Sequence, residues 1–201
     1  MLATKTLHSV EDMERTPKPE GGGGYELDEG ELVYMSPNSM EQWEIIYRCY
    51  RLLKDFVEAH SLGFVLADTW FEILPRVVPA PDEAFVPRAA WKPELDPKHA
   101  LKVVPSLVIE VLGSSDPGLS RRIALESSAR PARTPRDLSR RLRQYLQAGV
   151  LQVWVPDPDE REVDAYAAGS LRTLTAKDNL EAPATLPGFS VSVSQLLEGK
   201  Q

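Results

Sequence analysis

The sequence has little of the side chains that build disulfides or zinc sites. Cys49 is the only cysteine among 201 residues, which excludes an internal disulfide and is typical of a reducing compartment. The three histidines, His8, His60 and His99, lie far apart in the sequence. A Cys/His zinc site is therefore not expected, and any bound metal ion would need oxygen ligands.

Long apolar segments are also absent. No run approaches the ~20 apolar residues that a helix needs to cross a bilayer, and residues 1–19 lack the apolar core of a secretory signal. Hydrophobic residues make up 42% of the chain and charged residues 26%, which is ordinary for a soluble globular protein. We therefore expect a cytoplasmic protein with a single folded domain.

Positive charge is in the minority but is unevenly distributed. The formal net charge of -7 argues against indiscriminate binding to polyanions. Eight arginines nevertheless fall within a short stretch, opposed there only by Glu126 and Asp137. They are Arg121, Arg122, Arg130, Arg133, Arg136, Arg140, Arg141 and Arg143. Two interpretations are open, a solvated helix face with its loop or a surface that contacts phosphates, and Arg121, Arg122, Arg133, Arg136 and Arg140 are the candidate nucleic-acid contacts.

Composition divides the chain into a polar beginning and a folded remainder. Residues 1–24 are polar and include four consecutive glycines from Gly21, so we predict a disordered or weakly ordered N-terminal segment, with a short helix near residues 9–13 as the alternative for that part. The glycines are not a phosphate-binding loop, because no strand precedes them and no Gly-Lys-Ser/Thr follows. Residues 25–201 are predicted to form one domain, with residues 117–136 as an arginine-rich insertion.

Local signals predict an α/β (mixed α+β) fold. Residues 25–35 form a hairpin pattern around Asp28-Glu29-Gly30, and Ser39 with Gln42 has capping-box spacing before a long amphipathic helix. A second helix is predicted from Thr134 to Gly149. Short apolar runs between and after these helices predict strands, among them residues 69–74, 82–86, 107–112 and 151–155. The expected architecture is a mixed central sheet flanked by helices.

Two of the predicted strands carry carboxylates. Glu110 lies within the apolar run Leu107–Leu112, and Asp82 begins the run that ends at Val86. Burying an unpaired charge costs several kcal/mol unless it is paired, protonated or bound to a metal. Carboxylates on neighbouring strands, about 5 Å apart, can share one Mg²⁺ or Mn²⁺, which would polarise a phosphoryl oxygen. We therefore predict that Asp82 and Glu110 converge at one edge of the sheet.

Two further side chains are candidates for the same site. Arg141 falls at the margin of the apolar face of the second helix, three residues after Leu138 and four before Tyr145. Glu44 borders the apolar stripe of the first helix and is a candidate third acid, although a surface glutamate is the commoner outcome. The alternative for Glu110 is a purely structural carboxylate that is paired with Arg141.

The order of five motifs resembles the Uma-type family, bacterial putative restriction endonucleases of the PD-(D/E)XK superfamily. The motifs are Tyr25-Glu26-Leu27-Asp28-Glu29-Gly30-Glu31-Leu32-Val33, Pro81–Val86, Leu107–Leu112, Tyr145–Val150 with Val153–Pro158, and Leu186-Pro187-Gly188-Phe189. The resemblance extends from about Tyr25 to Leu197. It implies a restriction-endonuclease-like core, DNA as the substrate, and Asp82 and Glu110 as the ligands of Mg²⁺ or Mn²⁺.

The chain departs from the family pattern at the catalytic cation. The superfamily motif has a lysine two residues after the second carboxylate, where this chain has Leu112. Uma-type proteins commonly take a lysine from the following helix, and that register gives Arg141. Arginine can stabilise charge but cannot accept a proton. The family also usually connects its Ser-x-Ser-Asp turn directly to that helix, whereas the insertion intervenes here.

Three functions remain open. The first is a metal-dependent DNA endonuclease in which Asp82, Glu110 and Arg141 are catalytic. The second is a nuclease fold that no longer cuts and binds nucleic acid or a protein partner. The third is an interaction protein without a nucleic-acid role, which the acidic net charge favours. Nuclease folds often act as dimers, which leaves a homodimer as an alternative to a monomer.

Overall fold

The computed structural model describes residues 7–113, 130–131, 135–167 and 169–198. Within these ranges the helices are α1 (Val10–Arg15), α2 (Met40–Ala59), α3 (Pro135–Ala148) and α4 (Val193–Leu197). A 3₁₀ turn covers Arg88–Ala90. The predicted capping box is present, because Ser39 accepts from the backbone of Gln42 and Gln42 accepts from the backbone of Ser39. Both long helices lie where the sequence predicts them.

A six-stranded mixed sheet forms the centre of the fold. Its strands are β3 (Gly63–Ala67), β4 (Glu83–Pro87), β5 (Leu107–Ile109), β7 (Gln152–Asp157), β8 (Glu162–Ala167) and β9 (Ser170–Thr175). They lie in the order β3-β4-β5-β7-β8-β9, in which only β5 and β7 run parallel. The predicted mixed sheet flanked by helices is therefore confirmed.

Two smaller sheets complete the described strands. One contains β1 (Gly24–Asp28), β2 (Glu31–Met35) and β6 (Arg130–Pro131), in the order β1-β2-β6. The other pairs β10 (Asn179–Ala182) with β11 (Leu186–Ser192). Glu29 and Gly30 connect β1 and β2 with φ of 51° and 90°, the conformation of a tight hairpin turn. The predicted hairpin is thus present.

The two faces of the central sheet support separate apolar clusters. Alternate residues of β5 point to opposite faces, so Leu107 and Ile109 join the cluster against α2 and the C-terminal elements. Val108 joins the cluster that contains Leu142 and Tyr145 of α3. The sheet is therefore buried on both sides, which explains the nearly continuous apolar run of β5.

The structure differs from the prediction for the N-terminal segment. Residues 1–6 lie outside the described residues, but α1 carries a capping box of Ser9 and Asp12, and Met13 is fully buried against Leu27 and Val78. Glu14 also accepts a hydrogen bond from the backbone of Ala100 at 2.8 Å. The segment is polar in composition, yet the buried side chain of Met13 and the hydrogen bond of Glu14 attach it to the domain.

The structure contradicts the predicted strand at residues 69–74 and describes only a small part of the predicted insertion. Residues 69–74 form no strand, because only isolated bridges involve Phe71 and Leu74. Most of the predicted insertion, 117–136, lies outside the described residues, although Arg130 and Pro131 pair in parallel with Val33 and Tyr34. No helix in the described part of the chain is both long and apolar enough to cross a membrane.

Candidate active site

Asp82 and Glu110 lie on the same face of the central sheet. The antiparallel register pairs Glu83 with Ile109, and one further residue along it sets Asp82 opposite Glu110. Glu110 is held beside β7, because its backbone N–H donates to Trp154 at 3.0 Å. Both residues are 7% exposed. The alternation of each strand gives both side chains the side of the sheet on which α3 packs, and facing residues of antiparallel strands have Cβ atoms roughly 5 Å apart.

The Asp82 carboxylate is fixed by two donors. Oδ2 accepts from the backbone N–H of Val111 at 2.7 Å, and Oδ1 accepts from Nδ2 of Asn38 at 3.0 Å. Gln42, in the first turn of α2, donates from Nε2 to the carbonyl of Val111 at 3.2 Å. These bonds connect the segment after β2, the start of α2 and the end of β5 to one carboxylate. Asp82 therefore has a defined orientation relative to Glu110.

Arg141 and Tyr145 of α3 meet Glu110 from the opposite side. The Tyr145 hydroxyl donates to Oε1 of Glu110 at 2.6 Å, and Nη1 of Arg141 lies 3.4 Å from the same oxygen. These side chains are four residues apart and share one face of the helix. α3 therefore delivers a neutral donor and a fixed positive charge to the Glu110 carboxylate.

Glu26 of β1 is a third buried acid, which the sequence analysis did not identify. It is 2% exposed, it accepts from the backbone N–H of Ala80 at 2.8 Å, and both of its oxygens contact the guanidinium of Arg141. Burial raises the pKa of Glu26 to about 7 against the opposing charge of Arg141. Arg141 thus bridges Glu26 and Glu110.

Acids hold Arg141 in its charged form. Burial alone would lower its pKa, but Glu26 and then Glu110 hold the pKa above its ordinary value. The guanidinium also lies 3.7 Å from the sulfur of Met35. In this arrangement the side chain can stabilise negative charge but cannot act as a general base.

Glu83 follows Asp82 but points to the other face. It is completely buried on the α2 side of the sheet, and neither carboxylate oxygen has a hydrogen-bond partner in the described part of the chain. Burial, and then the charge of Asp82, raise its pKa well above the ordinary value. Alternation along β4 therefore gives consecutive acids opposite environments.

Of the other candidate residues, Glu44 and Arg140 have described side chains, and neither contacts this cluster. The side chain of Glu44 is 70% exposed and lies 3.8 Å from Arg48 on its own helix. Arg140 is paired with Asp28 at 3.1 Å and Glu29 at 2.8 Å. Arg121, Arg122 and Arg133 lie outside the described residues, as does the side chain of Arg136.

The side chains around Asp82 fit a hydrated divalent cation. Mg²⁺ commonly binds through one or two carboxylates and keeps several waters. Asp82 and Glu110 supply two carboxylates, and Oδ1 of Asn38, beside Asp82, is buried without a hydrogen-bond partner among the described residues. The described ranges contain no group of three or more His, Cys, Asp or Glu side chains arranged for metal binding. A cation held by these two carboxylates would therefore take its remaining ligands from water.

The Uma2 family, described as putative restriction endonucleases, matches residues 10–194. The chain belongs to this family. A solved structure from Anabaena variabilis ATCC 29413, a putative nuclease belonging to DUF820, is similar with a TM-score of 0.71 at 14% identity, covering 95% of this chain and 98% of that chain. Curated proteins give no match. Membership of the Uma2 family confirms the resemblance, and the structural similarity shows that this chain shares the fold of that protein.

The Uma2 match includes the elements that form the acidic cluster. Residues 10–194 take in Glu26, Asp82, Glu110 and Arg141. The match also begins at α1, which agrees with the packing of Met13 against the rest of the domain. The acids at the ends of β4 and β5 are therefore embedded in the part of the chain that defines the family.

Proposed function

We propose that this Uma2 protein is a metal-dependent DNA endonuclease that hydrolyses phosphodiester bonds at Asp82 and Glu110. The observation that carries the proposal is the facing position of these two buried carboxylates at the ends of β4 and β5, with one guanidinium beside them. Two buried carboxylates at one point are costly unless cations neutralise them. Asp82 and Glu110 would hold Mg²⁺ or Mn²⁺, whose chemistry is polarisation of a phosphoryl oxygen and activation of water.

The surrounding residues would orient the acids and balance their charge. The backbone N–H of Val111 and the side-chain amide of Asn38 donate to the two oxygens of Asp82 and fix its orientation. Tyr145 fixes one oxygen of Glu110. Arg141, held by Glu26, provides a preorganised positive charge for the negative charge that develops on the phosphoryl group. Proton acceptance would fall to another group, because Arg141 stays charged.

Cleavage of supercoiled plasmid and single-stranded DNA in Mg²⁺ or Mn²⁺ tests the proposal. We expect wild-type protein to cut and Asp82→Asn and Glu110→Gln to lose at least 100-fold in rate, as for removal of a principal stabiliser of developing charge. Asp55→Asn and Glu44→Gln are matched controls, because both side chains are exposed on α2. Calorimetry with Mn²⁺ gives a second readout, in which Asp82→Asn should weaken binding. If the wild-type protein cleaves neither DNA with either metal ion, the endonuclease proposal is wrong.

A nucleic-acid-binding module without catalysis is the second candidate. It is favoured by the ion pairs of Arg141 with Glu26 and Glu110, which already neutralise much of the acidic cluster. For such a module, DNA binding would survive Asp82→Ala and would weaken steeply with salt. Arg141→Lys separates the two candidates, because an enzyme should cut at least as well with a lysine at this position, whereas a pure binding module should cut with neither residue.

A further inference from the structure

A cleft leads from the surface to the acids of the candidate active site. It has a volume of about 460 Å³, and Glu26, Asp82 and Asn38 are among the residues that line it. Asp82 is almost fully buried and lines this cleft, so the cleft is a route by which a substrate can reach its carboxylate. Its volume is that of a pocket for one small molecule. It can hold one nucleotide but not a stacked duplex.

Aromatic side chains form part of the cleft wall. Trp43, in the first turn of α2, is 47% exposed and lines the cleft. Tyr25 and Trp70 line it as well, and Trp70 is fixed by a hydrogen bond from Nε1 to the carbonyl of Tyr25 at 2.9 Å. Nucleic-acid bases stack on such rings, and stacking requires a base that is free of its neighbours. The lining therefore suits an unpaired base.

Trp43 is held at a fixed position relative to the acids. Its neighbour Gln42 is part of the capping box with Ser39 and also bonds to the carbonyl of Val111. The residue before this cap, Asn38, bonds to Asp82. The exposed ring thus belongs to the same rigid junction as the carboxylates, unlike an isolated aromatic on a surface. Lys18 and Lys98 also line the cleft and are exposed, as expected for phosphate contacts.

We propose that this cleft binds one unpaired nucleotide with its base against Trp43, so that single-stranded or locally unpaired DNA is the substrate class. The inference rests on the proposed function and specifies which DNA the same site accepts. Duplex DNA would reach the acids only after a nucleotide leaves the base stack, which costs free energy. Single strands should therefore bind more tightly than duplexes of the same sequence.

Binding of a fluorescent 12-nucleotide single strand and the matching duplex, measured by anisotropy in EDTA, tests the cleft without cleavage. We expect Trp43→Ala to weaken binding of the single strand roughly 5- to 100-fold, and Trp43→Phe to retain most of it. Tyr47→Ala is the matched control, because Tyr47 is 63% exposed one turn further along α2 and does not line the cleft. Melting temperatures of all variants check that they fold.

The outcomes separate this inference from the endonuclease proposal. Equal single-strand binding by wild type and Trp43→Ala, or duplex binding as tight as single-strand binding, would overturn the nucleotide cleft. Cleavage that depends on Asp82 but is unaffected by Trp43→Ala would support the endonuclease proposal and contradict the proposed nucleotide-binding cleft. Single-strand binding that depends on Trp43, without cleavage in Mg²⁺ or Mn²⁺, would support the nucleotide-binding cleft and contradict the endonuclease proposal.

Discussion

Arg141 carries more of the electrostatic balance of the site than any other described residue. It contacts Glu26 through both guanidinium nitrogens of the fork and reaches Glu110 at 3.4 Å. Breaking a buried ion pair by removing one partner leaves a charge uncompensated, which is much more costly than losing a surface pair. The position therefore has a structural role in addition to its proposed catalytic one.

Arg141→Ala should lower the free energy of unfolding by roughly 3 kcal/mol at pH 8, since the buried acids lose the cation that contacts them. Arg141→Lys should lose less, because an ammonium retains the charge without the bidentate geometry. Urea denaturation measures both. Arg143→Ala is the control, because Arg143 is exposed on the same helix. Equal stability of Arg141→Ala and Arg143→Ala would contradict the structural role.

Glu83 should make the stability of the protein depend on pH. Its pKa is raised in the folded state, so the folded protein binds the proton more tightly and loses stability as pH rises above the ordinary value of 4.5. Glu83→Gln removes this loss. We expect the variant to be more stable than wild type by on the order of 1–3 kcal/mol at pH 8 and to be nearly equal at pH 4.5.

Denaturation in urea at both pH values provides the measurement for Glu83. Glu44→Gln serves as the exposed control and should track wild type throughout. A stability difference between Glu83→Gln and wild type that stays constant from pH 4.5 to pH 8 would show that the carboxyl does not titrate in a buried setting.

Single residues differ in how well the sequence identifies them. Asp82 and Glu110 are conspicuous because Asp82 begins a short apolar run and Glu110 lies within another, and the strand register places them opposite each other. Glu26 shows no such signal, since a glutamate in a hairpin strand looks like a solvent-facing residue. Its burial depends on α3 packing Arg141 against it, a contact between positions 115 residues apart. The one available hint was Arg141 itself, a cation at the margin of a buried face.

The junction at the start of α2 connects secondary structure to the site. Ser39 caps the helix, Gln42 reaches Val111, and Asn38 reaches Asp82, so three residues within one turn contact the helix end and two parts of the site. A helix cap normally affects only the stability of its own helix. Here the orientation of the Asp82 carboxylate depends on it as well.

Ser39→Ala should reduce the free energy of unfolding by about 1 kcal/mol and should also slow cleavage, because the junction loosens around Asn38 and Gln42. Thermal denaturation and the plasmid assay measure the two effects. Ser190→Ala is a suitable control, since its hydroxyl makes only a long exposed contact of 3.4 Å. Loss of stability with unchanged cleavage would separate the cap from the site.

Elements with local signals were predictable, and those that depend on partners were not. The hairpin and α2 follow from a turn pair and a capping box, which act within a few residues. Residues 69–74 have the composition of a strand, but strands need a neighbour with free backbone groups, and here only isolated bridges form. The parallel pairing of β6 with β2 gives no local signal either.

At the scale of the whole molecule, the N-terminal helix is part of the domain. Met13 fills a small apolar cluster with Leu27 and Val78, between the hairpin and the chain that leads to β4. Truncating a buried methionine creates a cavity and typically costs 2–5 kcal/mol. The polar composition of residues 7–24 conceals this attachment.

Met13→Ala should therefore lower the free energy of unfolding by roughly 2–4 kcal/mol in a single cooperative transition. Met40→Ala is the matched control, because Met40 is exposed at the start of α2 and should change stability little. Chemical denaturation followed by tryptophan fluorescence measures both variants. If Met13→Ala unfolds like wild type, α1 is attached too weakly to belong to the domain.

The bridge of Arg141 between Glu26 and Glu110 has a consequence for how the protein is produced in a cell. Arg141 is a counter-ion that belongs to the protein itself, so Glu26 and Glu110 are paired without any bound metal ion. We therefore expect the protein to fold without a bound metal ion, and a chelator should leave its melting temperature unchanged. Under the proposed function, the availability of Mg²⁺ or Mn²⁺ would control the activity of the protein but not the stability of its fold.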